Sequence, residues 1–175
     1  MKMSCALIVT MAVLASGCGG SSEDTPEAEA RTTNATAQLD ACELLMAANP
    51  SEVLGGAVDE PIKAGVQCVV SAQNDYLKSA SLALPSASGV ATEMTRERFF
   101  EVRKEGLEIL GIGQDDLHEV DGLGSFALYA ESDVGMQLWF FWGEGYSAII
   151  NLNGVDADNG LDWAKTLAQS VTKAS

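Results

Sequence analysis

The stretch Ser125 to Asn153, "SFALYAESDVGMQLWFFWGEGYSAIINLN", decides the fold. It holds three short runs rich in aromatic and aliphatic residues, "SFALYA", "MQLWFFW" and "YSAIINLN", and the last two are separated only by "GEG". Such runs, punctuated by glycine and acid, read as strands joined by hairpins, and strands linked so tightly can pair only antiparallel. Side chains alternate between the faces of a strand. Trp139 and Phe141 therefore leave one face of "LWFFW", and Leu138, Phe140 and Trp142 leave the other. One set belongs in a core beneath helices. The other is either core as well, which is what a continuous apolar run in a central strand implies, or an exposed strip that binds something. Trp139, Phe141 and Trp142 are the candidate ligand or partner surface.

Upstream, "VQCVVSAQ" and "YLKSASLAL" form a second strand pair, with turn character at Asn74-Asp75 between them. Two short helices precede them. In "LDACELLMAA", Asp40 is placed to cap and Glu43 has capping-box spacing; in "NPSEVLGG", Asn49 caps, Pro50 takes the first helical position and Gly55-Gly56 ends the helix. A longer helix is predicted over Thr92 to Leu110. Phe99, Val102 and Ile109 share one face of it, and Phe100, Leu107 and Leu110 flank them. A loop rich in glycine and acid, Gly111 to Gly124, leads to the three strands. "DADNGLDWAKTLAQSVTKA" closes the chain as a helix with Leu161, Ala164, Ala168 and Val171 on one face. The expected fold is α+β: an antiparallel sheet of about five strands packed by two longer helices, in two layers, with one disulfide. It occupies residues 38–175 as a single globular domain.

The first residues carry different information. Met1-Lys2-Met3 is a short positive n-region, and "ALIVTMAVL", Ala6 to Leu14, is an apolar run too short to span a bilayer. Ala15, Ser16 and Gly17 are small, and Cys18 follows at once. "LASGC" resembles the bacterial lipobox, with Ala15 where Leu is usual and Leu14 one place earlier. That resemblance implies a signal peptide over 1–17, cleavage before Cys18, and a diacylglycerol on the Cys18 thiol with acylation (palmitate, for example) of the freed amine. The alternative is an ordinary signal peptide whose first mature residues include a cysteine. "GGSSEDTPEAEARTTNATAQ" then has the composition of a flexible acidic tether, placing 18–37 between anchor and domain. The expected location is the cell membrane or outer membrane, lipid-anchored and facing the periplasm or cell exterior. Gly19, rather than Asp, after the anchor favours the outer membrane in a two-membrane envelope.

Of four cysteines, Cys5 leaves with the signal and Cys18 serves the anchor. Cys42 and Cys68 remain, an even pair in an exported domain where oxidation is expected. A bridge between them would be worth about 3.5 kcal/mol in the chain-entropy picture. Two free thiols or a metal pair is the alternative, but no CxxC spacing exists and the only histidine is His118.

Net charge is −15 at pH 7, from 25 acidic and 10 basic residues. Loss of the signal removes one lysine and no acid. This balance opposes binding to nucleic acid and anionic lipid head groups. No GxSxG, HExxH, Walker loop or CxxC occurs, so no enzyme and no cofactor is expected. Asp115, Asp116, Glu119 and Asp121 could offer oxygen ligands, but neither they nor "DADNG" at Asp156–Gly160 match an EF-hand, and no metal site is assigned. His118, in "QDDLHEVDG", reads as an incidental surface residue.

"DACELL", "SEVLG", a cysteine opening a strand and the helix "AKTLAQSV" together resemble a family of small lipoproteins of unknown function common in actinobacteria, mycobacteria included. Ala41 stands where that pattern usually has Pro, and Val69-Val70 follow Cys68 where an aromatic is frequent. The resemblance implies a lipoprotein with a Cys42–Cys68 bridge and no assigned reaction. Two functions are expected from the whole chain. The first is a non-enzymatic binding or structural lipoprotein, held to the membrane through Cys18 and taking a protein or apolar ligand. The second is an inhibitor or immunity protein against a cationic cell-wall hydrolase such as lysozyme. A ligand carrier predicts an apolar cavity beside Trp139 or Trp142; an inhibitor predicts that the acidic loop Gly111–Gly124 protrudes.

Overall fold

The computed structural model describes residues 39–85, 94–143 and 146–175. The expected signal peptide, Cys18 and the expected tether fall outside the described residues, as do Thr92 at the start of the predicted long helix and the Glu144-Gly145 part of the "GEG" turn. Two short helices come first, α1 (Ala41–Ala47) and α2 (Pro50–Leu54), followed by β1 (Ile62–Ala64), β2 (Gln67–Ala72) and β3 (Asp75–Ala83). Helix α3 (Arg96–Ile109) leads through a single 3₁₀ turn at Gln114–Asp116 to β4 (His118–Glu119), β5 (Phe126–Ser132), β6 (Gly135–Trp142) and β7 (Tyr146–Asn153). Helix α4 (Ala157–Ala174) closes the domain.

All neighbouring strands pair antiparallel, in the order β1-β2-β3-β7-β6-β5-β4. Two meanders, β1–β3 and β4–β7, thus lie side by side, joined where Leu82 of β3 faces Ile150 of β7. The sheet has seven strands among the described residues, against about five expected. The five predicted runs are all present. The additional strands, β1 and β4, are edge strands of three and two residues whose side chains are exposed throughout, so they show no buried alternation for a sequence pattern to register.

The helices do not form a single layer on one side, which corrects the two-layer expectation. Strand β6 buries Met136, Leu138, Phe140 and Trp142 with Cys68, Val70, Leu82, Ile150 and Leu152 against α1, α2 and α4. Its opposite face buries Trp139 with Phe99 and Leu107 of α3 and with Ile112 and Leu117 of the following loop. A strand apolar on both faces needs cover on both, and the chain supplies it. Trp163 of α4 also donates its indole N–H to the Ala48 carbonyl at 2.8 Å, tying α4 to the end of α1.

Local chemistry explains the helix ends. The Asp40 carboxylate accepts from the backbone N–H groups of Cys42 and Glu43, satisfying donors that the first turn of α1 leaves open. Thr95 caps α3 by accepting from the Arg98 N–H, and Asp156 caps α4 by accepting from the Asp158 N–H. Asn49 does not cap α2. Its backbone is left-handed, at φ 52°, and its side chain instead accepts from the Ser51 hydroxyl at 2.6 Å and donates to Glu52 at 2.7 Å.

The buried line of α3 also differs from the predicted one. Val102 and Ile109 are exposed, at 69% and 85%, while Phe99 and Leu107 are buried. The helix carries apolar residues around much of its circumference, and the side through Phe99 and Leu107 is the one that lies on the sheet.

Candidate functional site

At the end of the β6–β7 hairpin, a cleft of about 840 Å³ opens between the start of α1, strand β1, the end of β3 and the last residue of α4. Leu39, Val66, Leu84, Pro85, Trp142 and Tyr146 supply its apolar lining, and Asp40, Lys63, Ser147 and Ser175 its polar groups. The register of the hairpin sets the aromatic wall. Trp142 pairs with Tyr146 across the turn, and their rings lie 5.9 Å apart and nearly parallel. Phe140, two residues back on the same face, stacks on Trp142 at 5.2 Å. A column of three rings therefore runs from the core to the cleft.

Trp142 is 8% exposed, and its Nε1–H has no hydrogen-bond acceptor among the described residues. A buried donor left without an acceptor costs about 1–3 kcal/mol. On the polar side, Lys63 pairs with Asp40. The Lys63 ammonium, then the N–H groups of Glu43 and Cys42, hold the Asp40 carboxyl below the ordinary aspartate range.

The other candidate residues lie elsewhere. Trp139 and Phe141 point to the opposite face: Trp139 is buried under Phe99 at 5.1 Å, and Phe141 meets the edge of the same ring at 6.2 Å. The structure therefore separates Trp142 from Trp139 and Phe141. Cys42 and Cys68 form a disulfide that fixes the first turn of α1 to β2. Of the cleft residues, Tyr146 could have been found from its place just after a hairpin turn. Lys63 could not, because β1 leaves no periodic signal, nor could Val66, in the turn that follows it.

The loop 111–124 is pinned rather than free. Ile112, Leu117, Val120 and Leu123 are buried, the Val120 N–H donates to the Ala127 carbonyl, and Asp116 accepts from the Gly113 N–H at 2.8 Å. Asp115, Asp116, Glu119 and Asp121 point outward from it. His118 is exposed, with its ring 5.1 Å from Tyr129. Among the described residues no three metal-ligating side chains converge, and no helix is long and apolar enough to cross a membrane.

No family model matches this chain, and neither does any curated protein or solved structure.

Proposed function

We propose that this chain is a non-enzymatic envelope lipoprotein, anchored through an acylated Cys18, whose domain holds an apolar ligand in the cleft beside Trp142. The cleft itself carries this reading. Its volume of about 840 Å³ falls in the size range of small-molecule sites, about 300–1,000 Å³, and it combines a mainly apolar wall with a few polar groups, as such sites do. The Lys63–Asp40 pair suits a polar head at the mouth. The lipobox-like "LASGC" and the resemblance to small actinobacterial lipoproteins support the anchored setting.

The test is tryptophan fluorescence of the mature chain carrying Cys18→Ser, titrated with a long-chain fatty acid below its micellar concentration. Trp139 and Trp163 are replaced by Phe so that Trp142 alone reports. A saturable blue shift that persists at high salt supports the reading. Absence of any change with a folded protein counts against it.

An inhibitor of a cationic cell-wall hydrolase is the second reading, and one observation favours it. The four outward acids of loop 111–124 sit on a segment held by buried side chains, which lowers the ordering cost of binding a basic partner. That reading predicts binding to lysozyme that weakens steeply with salt.

A further inference from the structure

On the α3 side of the sheet, the apolar cluster beneath the helix draws chiefly on β5 and β6, through Leu128, Ala130 and Trp139. Beside it on the same face, β2, β3, β7 and β6 carry a row of neutral polar side chains. Ser81, Asn151 and Gln137 lie side by side across β3, β7 and β6, and Gln67 reaches Ser81 from β2. Ser81 is 94% buried, and its hydroxyl oxygen accepts from Asn151 Nδ2 at 3.0 Å and from Gln67 Nε2 at 3.3 Å. These bonds fix both amides and leave their carbonyl oxygens to accept from a ligand.

Between this row and α3 lies a second cavity, of about 290 Å³. Arg103, Gly106, Leu107 and Leu110 form its helix wall; on the sheet side Ala83, Trp139 and Ile149 give an apolar floor, with Gln67, Gln137 and Asn151 beside it. Gly106 keeps the helix wall low, since nothing stands within 4 Å of where its Cβ would be. Arg103 makes no ion pair among the described residues. None of the acidic residues among the described ones lines this cavity.

Two fixed amides, the Gln137 amide and one guanidinium around an apolar floor suit a ligand with hydroxyls on its edge, an apolar face and an anionic group, as a sugar acid has. A purely apolar ligand would strand the amides, and a cation would meet Arg103. We propose that this cavity is a saccharide site that takes a sugar unit bearing a carboxylate, with hydroxyls on Gln67, Gln137 and Asn151 and the carboxylate on Arg103. It is separate from the cleft at Trp142, on the other face of the sheet, and does not depend on that cleft holding a ligand.

The experiment is ¹⁵N-detected NMR of the mature chain with Cys18→Ser, titrated with a glucuronic-acid-containing oligosaccharide and, separately, with its neutral glucose counterpart. The expected result is a saturable shift of the Gln67, Gln137 and Asn151 side-chain NH₂ signals, stronger for the acidic sugar. Arg103→Gln should weaken the acidic sugar about tenfold and leave the neutral one unchanged, as befits loss of one charge-assisted contact. Gln137→Ala should weaken both. It is the safer variant, because Gln137 makes no side-chain hydrogen bond within the described domain and its loss leaves the Ser81 network whole. Trp142→Phe should change neither. Unmoved amide signals at millimolar sugar, or equal affinity of the folded Arg103→Gln chain for the acidic sugar, would overturn the proposal.

Discussion

The ring of Phe99 lies 5.1 Å from the indole of Trp139, tilted by 56°, so the first turn of α3 rests on the middle of β6. This contact covers β6 on the second face of the sheet, and it carries α3 with Phe99 inward and Val102 outward.

Phe99→Ala should therefore destabilise the domain by about 3–5 kcal/mol, the usual cost of emptying a buried phenylalanine site. Val102→Ala and Ile109→Ala should each change stability by under about 0.5 kcal/mol, because their side chains stand in water. Urea denaturation of the three variants checks the assignment. A large loss for Ile109→Ala with a small one for Phe99→Ala would mean that the helix is rotated.

Reduction of the Cys42–Cys68 bridge should lower stability by about 3.5 kcal/mol, from the loop of 26 positions that it closes. The same loss is expected for the paired Cys42→Ala, Cys68→Ala variant, which should in turn be insensitive to reductant. Denaturation midpoints with and without dithiothreitol give the comparison.

Asp40 predicts a pH dependence with a definite sign. Its carboxyl titrates lower in the folded chain than in the unfolded one, chiefly through Lys63. The stabilisation from its charge is thus complete above the unfolded value, near pH 4, and disappears as pH falls through the folded value. Asp40→Asn keeps a capping oxygen but loses the charge. It should be less stable than the parent at pH 7, and the gap should close toward pH 2. Lys63→Gln should move the Asp40 titration, followed by carboxyl NMR, back up toward the ordinary range.

Gly124 holds φ at +63°, and a Cβ there would strike the carbonyl oxygen of Phe141. Gly124→Ala should cost more than about 1 kcal/mol, both from the left-handed backbone and from the collision. Hydrogen exchange should show the damage in loop 111–124 and at the Ser125 N–H, which donates to that same Phe141 carbonyl.

The anchor has its own test. Mass spectrometry of the mature N-terminus should find Cys18 as the first residue carrying acyl groups, and Cys18→Ser should release the protein from the membrane fraction. An unmodified Cys18, or a mature chain starting elsewhere, contradicts the anchored reading.

Much of this domain is written in local pattern. Asp40 and Asp156 announce helix starts because short carboxylate side chains satisfy the open N–H groups of a first turn. The three strands from Phe126 to Asn153 announce themselves by apolar runs between tight turns, and α4 shows its buried face through Ala164, Ala168 and Val171. Local pattern fails where the cause is distant. Both faces of "LWFFW" are apolar, which states that each needs cover without saying what covers it. Only the folded chain places α3 over Trp139 and the Trp142–Tyr146 wall beside Lys63, since these contacts join residues far apart in sequence. Hairpin order and the caps at Asp40 and Asp156 follow from near neighbours along the chain, and the pairing of two cysteines from counting them. The facing of α3, the two extra edge strands and both cavities follow from which surfaces meet once the sheet has closed, and that depends on packing that no short window of sequence contains.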